Sequence, residues 1–222
     1  MVTFTVRAVL FDMDGTLVDS GAAIAAAWRA FATKYGLADW QALMEYAEGR
    51  QPTDSVAHFL PDLVGSPAFD AAVNWVDAHE INDLDGVLAM PGAARLLDQL
   101  AGAPVALVTS AVAELARRRM AAAGLDLPRV FIPAGMTASK PSPDGFLMAA
   151  AQLGVDASDC AVFEDSPAGI EAGLAAGARL VVVGQAALPD APGADQILRV
   201  ADLTAVSAKL TPSGIELTIT TP

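Results

Sequence analysis

Two aspartates separated by one residue, Asp12 and Asp14, follow the apolar run Val9-Leu10-Phe11 and precede a glycine, Gly15. Side chains two residues apart on a strand point the same way, so the two carboxylates repel each other unless a cation or a proton lies between them. Paired carboxylates of this kind can bind a cation, attack as a nucleophile or exchange a proton. The pattern therefore indicates a functional site at the end of a buried strand, where Gly15 lets the backbone turn sharply.

The same letters also occur in calcium-binding loops and in ordinary turns. An EF-hand loop needs its glycine at the sixth position and a helix before it, whereas Gly15 is fourth and a strand precedes it. A second copy of the pattern, Asp83-Leu84-Asp85-Gly86, follows polar residues instead of a strand. We interpret that copy as a solvated turn.

The elements that must position Asp12 and Asp14 alternate between short β-branched runs and helical stretches. This alternation is typical of parallel strands joined by right-handed helical crossovers. The predicted strands cover residues 7–11, 105–109, 130–133, 160–164 and 180–183. Ligands of open α/β sheets bind at the carboxyl ends of such strands, which is where the aspartates lie. A terminal hairpin is predicted over residues 207–220.

A long segment without a strand pattern, residues 20–88, separates the first two predicted strands. Ile24, Trp28 and Phe31 fall at helical spacing within it, and prolines punctuate the rest. We expect this insertion to be helical. The connections that lead into and out of it, after Asp19 and around 86–92, are the candidate hinges.

Four segments of the chain resemble, in order, the four motifs of the haloacid dehalogenase superfamily. They are Val9 to Thr16, Thr109-Ser110 at the end of a strand, Lys140 in Ser139-Lys140-Pro141, and Phe163-Glu164-Asp165-Ser166 after the run Cys160-Ala161-Val162. The resemblance covers nearly all of the chain and is nearest to the bacterial sugar and hexitol phosphatases, in the branch that includes β-phosphoglucomutase. It implies an α/β fold with a Rossmann-like doubly wound parallel sheet core, residues 1–19 and 89–222, and an inserted α-helical cap domain, residues 20–88.

The resemblance also implies the catalytic and phosphate-binding residues. Asp12 would be the nucleophile that forms an aspartyl-phosphate, and Asp14 the acid that protonates the leaving group and then the base that activates water. Lys140, Thr109 and Ser110 would bind the transferring phosphate, with backbone N–H groups at the next helix start.

A divalent cation follows from the charges and from the resemblance together. Glu164 and Asp165, added to Asp12 and a phosphate dianion, repel one another by about 4 kcal/mol for each pair of charges at 4 Å and an effective dielectric constant of 20. Mg²⁺ prefers oxygen ligands. The ligands that the resemblance implies are Asp12, the backbone carbonyl of Asp14 and Asp165, with Glu164 binding directly or through water.

The charged residues of the insertion indicate the chemistry of the leaving group. From 20 to 90 the chain has three basic residues, Arg29, Lys34 and Arg50, against ten acidic ones, so a second phosphate would find little counter-charge. A neutral sugar or polyol remainder fits better. Arg50 corresponds to the specificity residue of the phosphatases, although a surface arginine at a helix junction is the alternative. Trp28 is either core of the insertion or a residue that faces the substrate.

These observations favour a Mg²⁺-dependent phosphatase that acts on small sugar or polyol monophosphates. A sugar phosphomutase would use the same core, but such enzymes usually carry a histidine where this chain has Ile24. A phosphonate hydrolase would need a Schiff-base lysine, for which Lys34 is the only choice in the insertion. A non-catalytic sugar-phosphate binder would be expected to lose Asp12 or Asp14, and both are present.

Composition excludes several other classes. The net charge of −13 over 222 residues disfavours nucleic acid and anionic membranes as partners, because both need a basic surface. The hydrophobic fraction of 54% is that of a globular protein, and no apolar run reaches the roughly 18 residues of a membrane span. One cysteine, Cys160, cannot form an internal disulfide. We predict a cytoplasmic protein that is a monomer or a weak homodimer.

The sequence indicates no function for three further features. His58 and His79 have no partner at metal-binding spacing, so we interpret both as structural or solvated. The run Arg117-Arg118-Arg119 is interpreted as the exposed end of a helix, where cations complement the helix dipole. The spacing of Gly169, Gly173 and Gly177 indicates close helix packing.

Overall fold

The computed structural model describes residues 1–188 and 197–220. The predicted core segment 89–222 includes residues 189–196 and 221–222, which lie outside the described residues. The strands are, in chain order, β1 (Val2–Val6), β2 (Ala8–Phe11), β3 (Val18–Asp19), β4 (Leu88–Ala89), β5 (Val105–Val108), β6 (Val130–Ile132), β7 (Cys160–Glu164), β8 (Arg179–Val183), β9 (Leu198–Val200), β10 (Val206–Thr211) and β11 (Gly214–Ile219). The α-helices are α1 (Gly21–Tyr35), α2 (Trp40–Ala47), α3 (Pro52–Phe59), α4 (Pro67–Asn82), α5 (Ala93–Gln99), α6 (Ala113–Ala122), α7 (Asp144–Leu153) and α8 (Pro167–Ala175).

The centre of the fold is a parallel six-stranded sheet with the order β6-β5-β2-β7-β8-β9. Strand β2 lies between β5 and β7, with Leu10 in register with Ala106 on one side and Val162 on the other. Every residue of β2 is buried, which is why its sequence is a continuous apolar run instead of an alternating one. The central position of β2 carries the two aspartates that follow it to the middle of the sheet edge.

Helices cover both faces of the sheet. Val9 and Phe11 of β2 point into one apolar cluster, which also contains residues of α5 and α6. Ala8 and Leu10 point into the other cluster, which contains residues of α7 and α8. The fold is therefore the doubly wound α/β arrangement that the resemblance implied.

The helical insertion contains α1 to α4 and begins and ends at a two-stranded antiparallel ribbon, β3 with β4. These helices bury their own apolar cluster, which includes Trp28, Phe31 and Val76. A separate apolar core supports the predicted division into a core and a cap at residues 19/20 and 88/89, and we keep that division as a prediction.

The five predicted strands all form, with bounds that differ by one residue at most, and the terminal hairpin forms as β10 and β11. Four strands of the described part of the chain were not predicted: β1, the two-residue strands β3 and β4, and β9. Strand β1 is largely exposed and is held by antiparallel pairing with β11, far away in sequence. Strand β9 has only three residues. Each helix in the described part of the chain is too short or too polar to cross a membrane.

Candidate active site

The predicted site residues lie where three neighbouring strands end. Asp12 follows β2, Thr109 follows β5, and Asp165 follows β7. Because these strands are parallel and adjacent, their carboxyl ends meet at one edge of the sheet. The structure therefore brings together residues that are more than 150 positions apart in sequence.

Lys140 joins two of the buried carboxylates. Its Nζ donates to Oδ1 of Asp12, to Oε1 of Glu164 at 2.5 Å and to the carbonyl oxygen of Val108 at 3.3 Å. Burial alone lowers the pKa of Lys140, but the carboxylates of Asp12 and Glu164 outweigh burial and raise it above its usual value. Lys140 is therefore a fixed cation beside Asp12.

Glu164 is fully buried, and its carboxylate is held on several sides. Its Oε2 accepts from the backbone N–H groups of Asp165 and Ser166, both at 2.8 Å, and from the Ser166 hydroxyl at 3.0 Å. A Cβ at Gly169 would lie 1.6 Å from Oε1, so the first turn of α8 can approach only through a glycine. Glu164 acts here as a rigid acceptor between Lys140 and α8.

Asp165 lies against the turn that follows β2. Thr16 donates its hydroxyl to Oδ1 of Asp165 at 2.9 Å. Gly15 has a φ of 85°, and a Cβ there would lie 1.8 Å from Oδ2 of Asp165. Gly15 thus makes the predicted sharp turn and also leaves room for the Asp165 carboxylate.

The donor set fits a hard divalent cation. Asp12, Glu164 and Asp165 each offer a carboxylate oxygen within 4.8 Å of the others. Burial, then the charge of Glu164, raises the pKa of Asp165; burial also raises that of Asp12, with Lys140 acting against it. Two buried carboxylates and the half-buried Asp165, with one lysine near them, are short of positive charge, and oxygen ligands in this number suit Mg²⁺.

A cavity of about 520 Å³ opens above this cluster, a volume typical of small-molecule sites. Its core side is formed by the edge of the sheet and its other side by the helical insertion. The lining includes Asp12, Asp14, Thr109, Ser110, Asp165, Ile24, Trp28, Glu45, Glu48, Arg50, Glu80 and Arg119. Lys140 is behind this wall, in contact with Asp12.

Thr109 and Ser110, the other two residues predicted to bind phosphate in the core, make different hydrogen bonds. The Thr109 hydroxyl accepts from the backbone N–H of Ala111 at 3.1 Å and so shapes the turn after β5. Ser110 donates its hydroxyl to the carbonyl oxygen of Gly49 at 2.7 Å, which joins the core to the insertion. Both residues line the cavity.

Arg50 lines the cavity from the insertion side. Its guanidinium lies 4.8 Å from the ring centroid of Tyr46, and the same ring stacks on His58 with centroids 4.0 Å apart. His58 is exposed and packs on Tyr46 and Phe59, and its interpretation as structural or solvated stays a prediction. Trp28 is 4% exposed and combines both interpretations: it packs in the core of the insertion and also lines the cavity.

Asp14 receives two side-chain hydrogen bonds on one oxygen. Ser20 donates to Oδ1 at 2.6 Å, and Nη1 of Arg119 donates to the same atom at 3.0 Å. The interpretation of Arg119 as part of an exposed helix end is wrong: its side chain is 2% exposed, whereas Arg117 and Arg118 are exposed. The physical reason is that α6 turns residue 119 toward the sheet, on the same face as Leu115 and Met120.

Glu80, in the last turns of α4, completes this group. Its Oε1 lies 3.6 Å from Nη2 of Arg119. Burial raises the pKa of Glu80 to about 7, although the charge of Arg119 opposes that shift. The insertion thus contributes a buried carboxyl group that keeps its proton to a higher pH than an exposed glutamate does.

Sequence reasoning missed Thr16, Ser20, Glu80 and Arg119. A signal existed for Arg119, because Leu115 and Ala116 stand four and three residues before it, at the spacing of one helix face. A similar signal existed for Glu80, because Val76 and Ala72 stand four and eight residues before it, on the buried face of α4.

Comparisons with known proteins show the family to which the chain belongs. Residues 6–177 match the family described as haloacid dehalogenase-like hydrolase. The chain is 40% identical over 182 residues to hexitol phosphatase A of Escherichia coli, covering 80% of this chain and 82% of that protein. It is 33% identical to β-phosphoglucomutase of Mycobacterium bovis, covering 80% of each. A solved β-phosphoglucomutase from Clostridium difficile is similar in fold, with a TM-score of 0.75 at 23% identity over 89% of this chain and 92% of that chain.

Proposed function

The chain belongs to the haloacid dehalogenase-like hydrolase family, and from that premise we propose that it is a Mg²⁺-dependent phosphatase of small sugar or polyol monophosphates. One observation carries the proposal. Asp12, Asp14 and Asp165 border a single cavity of about 520 Å³, which is large enough for a phosphate and a short polyol.

Asp12 is the nucleophile in this proposal. Its carboxylate oxygen forms a bond to phosphorus while the bond from phosphorus to the leaving oxygen breaks, and Asp14 gives its proton to that oxygen. In the second step Asp14 takes a proton from water, the water oxygen bonds to phosphorus, and the Asp12 carboxylate leaves as inorganic phosphate forms. Lys140 keeps Asp12 oriented, because it contacts both Asp12 and the rigid Glu164.

Asp12, the backbone carbonyl of Asp14 and Asp165 would hold the cation, with Glu164 directly or through water. When bound, the cation supplies positive charge that offsets the repulsion between the carboxylates and the phosphate. Ser110 and the backbone N–H groups after β5 are suited to the phosphate oxygens, since hydroxyl and N–H donors stabilise the charge that develops there.

The walls of the cavity favour a neutral remainder with several hydroxyl groups. Glu45 and Glu48 line the insertion side and can accept hydrogen bonds from hydroxyls but would repel a second phosphate. Arg50, held against Tyr46, is the cation of this side and is proposed to bind the substrate. The similarity to a hexitol phosphatase supports the same substrate class.

A sugar phosphomutase is the second candidate, because a relative 33% identical to this chain is a β-phosphoglucomutase. The apolar Ile24 in the cavity wall supports hydrolysis over transfer, since it offers no group to exchange a proton with a second sugar. The phosphonate hydrolase alternative has little support: Lys34 lies over Tyr35 and Trp75, among the aromatic side chains of the insertion. A cytoplasmic location and a monomer or weak homodimer remain predictions.

A phosphate-release screen of the purified protein tests the proposal. The substrates are hexitol and sugar monophosphates, sugar bisphosphates and nucleoside monophosphates, each with Mg²⁺ and with EDTA. We expect kcat/KM for the hexitol and sugar monophosphates to exceed that for the other two classes by about tenfold or more. EDTA should abolish turnover, and excess Mg²⁺ should restore it. Turnover that is unaffected by EDTA, or a preference for bisphosphates, would contradict the proposal.

A further inference from the structure

Arg119 is a buried cation that the proposed chemistry does not use directly. Its guanidinium lies between two carboxyl groups, at 3.0 Å from Oδ1 of Asp14 and 3.6 Å from Oε1 of Glu80. Within the described residues, its Nε and Nη2 have no hydrogen-bond acceptor at normal distance. Burying a charge that is incompletely hydrogen-bonded costs folding free energy. The arrangement is therefore poorly explained by stability alone, which indicates a functional role.

Both hydrogen bonds to the Asp14 side chain end on the same oxygen. Ser20 and Arg119 donate to Oδ1, which leaves Oδ2 as the oxygen available to a substrate in the cavity. Ser20 is the residue before α1 and would ordinarily cap that helix, but it makes no capping hydrogen bond because its hydroxyl is turned to Asp14. Two donors thus fix one edge of the carboxyl group.

Each connection between core and insertion contributes one residue to this arrangement, Ser20 directly and Glu80 through Arg119. Ser20 is the first residue after β3, where the chain enters the insertion, and Glu80 lies near the end of α4, where the chain leaves it. Arg119, in α6 of the core, spans from Asp14 to Glu80. The orientation of Asp14 therefore depends on both connections.

We propose that Arg119 is a positioning residue for proton transfer: it holds Oδ1 of Asp14, with Ser20, so that Oδ2 faces the leaving oxygen, and Glu80 anchors Arg119 from the insertion. This inference rests on the proposed function, because it concerns the acid that the phosphatase reaction needs. It assigns Arg119 no contact with the substrate.

The test compares kcat/KM for two substrates whose leaving groups differ in their need for a proton. An alkoxide, as from a hexitol phosphate, needs the proton of Asp14, whereas p-nitrophenolate leaves with little assistance. Since kcat/KM reports the steps up to the first irreversible one, it isolates the acid step from the later hydrolysis. A residue that only supports the fold would change both substrates alike.

We expect Arg119→Ala to lower kcat/KM for a hexitol phosphate by about 10- to 100-fold and that for p-nitrophenyl phosphate by less than about threefold. The matched control is Arg117→Ala, which removes the same charge from the same helix at an exposed position and should change neither value more than about twofold. Equal losses on the two substrates, or no loss, would overturn the inference.

Arg119→Ala leaves Asp14 and Glu80 without their cation and can fail to fold, so Arg119→Lys carries the same test. Lysine keeps the charge but cannot reproduce the planar guanidinium group that reaches both carboxyl groups. We therefore expect a selective loss of kcat/KM for the hexitol phosphate that is smaller than the loss in Arg119→Ala.

In an Asp14→Asn background, Arg119→Lys should have almost no further effect on kcat/KM for the hexitol phosphate, because there is no acid left to position. A loss that persists there in full would overturn the inference. Wild-type protein that releases no phosphate from hexitol phosphate would instead refute the proposed function itself.

Discussion

At the scale of single residues, the proposed chemistry depends on Asp12. Its carboxylate is held by Lys140 and opens to the cavity. Asp12→Asn keeps the shape of the side chain but removes the attacking charge and one cation ligand, so we expect kcat for a hexitol phosphate to fall by about 10³-fold or more. Phosphate release under saturating substrate measures the effect.

The chain offers a matched control in the second copy of the motif. Asp85 lies in the exposed turn before β4, so Asp85→Asn makes the same chemical change outside the site and should leave kcat within about twofold of wild type. Asp12→Asn that retains substantial turnover after careful purification would refute the assignment of the nucleophile.

Glu80 should make the stability of the folded protein depend on pH. The pKa of this glutamate is about 7 in the folded protein because burial and the charges of Asp14 and Asp77 outweigh Arg119, whereas its ordinary value is 4.5. The folded state then holds the proton more tightly than the unfolded chain, so stability falls as the pH rises from about 4.5 to 7 and stays lower above that range. Glu80→Gln removes this loss.

Thermal melts of Glu80→Gln and wild type at pH 5 and pH 8 measure that pH dependence. The melting temperature of the variant relative to wild type should be higher at pH 8 than at pH 5 by several degrees. The pH 5 pair serves as the control, because it contains the same loss of packing and of the contact to Arg119. A difference that is equal at the two pH values would contradict the raised pKa.

The residues that the motifs contain were predictable, and those that support them were not. Asp12, Glu164 and Asp165 each stand at the end of an apolar strand, so a parallel sheet must gather them at one edge. Lys140 stands eight residues after β6, and only the resemblance to the family marked it. Ser20 and Arg119 instead act through the direction in which a helix start and a helix face point. Only the packing of α1 in the insertion and of α6 on the sheet decides that direction.

At the scale of elements, the first turn of α8 must approach β7 closely. Gly169 packs on the Glu164 carboxylate, where a Cβ would lie 1.6 Å from Oε1, and Gly173 packs on Leu180 and Val162. Close packing, indicated by the glycine spacing, is thus confirmed for these two positions. It is wrong for Gly177, which follows α8 with a φ of 76° and has open space around it, because its role is to end the helix.

This packing predicts opposite effects for two glycine substitutions. Gly169→Ala should lower the free energy of unfolding by about 1–3 kcal/mol, since Glu164 must move although alanine favours helices. Gly21→Ala at the start of α1 should leave stability unchanged or raise it by up to about 1 kcal/mol, because its Cβ would meet only Oδ1 of Asp19, at 3.9 Å. Urea unfolding measures both. A Gly169→Ala protein as stable as wild type would contradict the packing of α8.

Five of the six strands of the parallel sheet were predictable because each is a short apolar run, whereas β9, with only three residues, was not. β1 alternates polar and apolar residues and is largely exposed, so its place is decided by pairing with β11 and not by its own sequence. The helices of the insertion were expected from spacing and prolines. The number of these helices, and the residues at which they begin and end, were not predicted from the sequence.

At the scale of the whole molecule, the insertion decides what reaches the site. Ser110 with Gly49, Ser139 with Asp54, and Arg119 with Glu80 join the core to the insertion around the cavity. In the proposed reaction, the insertion would limit the access of water during the first step, and the second step requires water to enter after the product has left. The balance between water and a second sugar at the aspartyl-phosphate therefore separates a phosphatase from a mutase.

That balance can be measured by incubating the protein and Mg²⁺ with β-glucose 1-phosphate and a trace of β-glucose 1,6-bisphosphate. Inorganic phosphate and glucose 6-phosphate are followed in the same sample, with the Asp12→Asn variant as the blank. If Asp14 activates water and Ile24 offers no group for a second sugar, inorganic phosphate should form faster than glucose 6-phosphate. Glucose 6-phosphate that accumulates faster than inorganic phosphate would contradict the phosphatase assignment and favour the mutase.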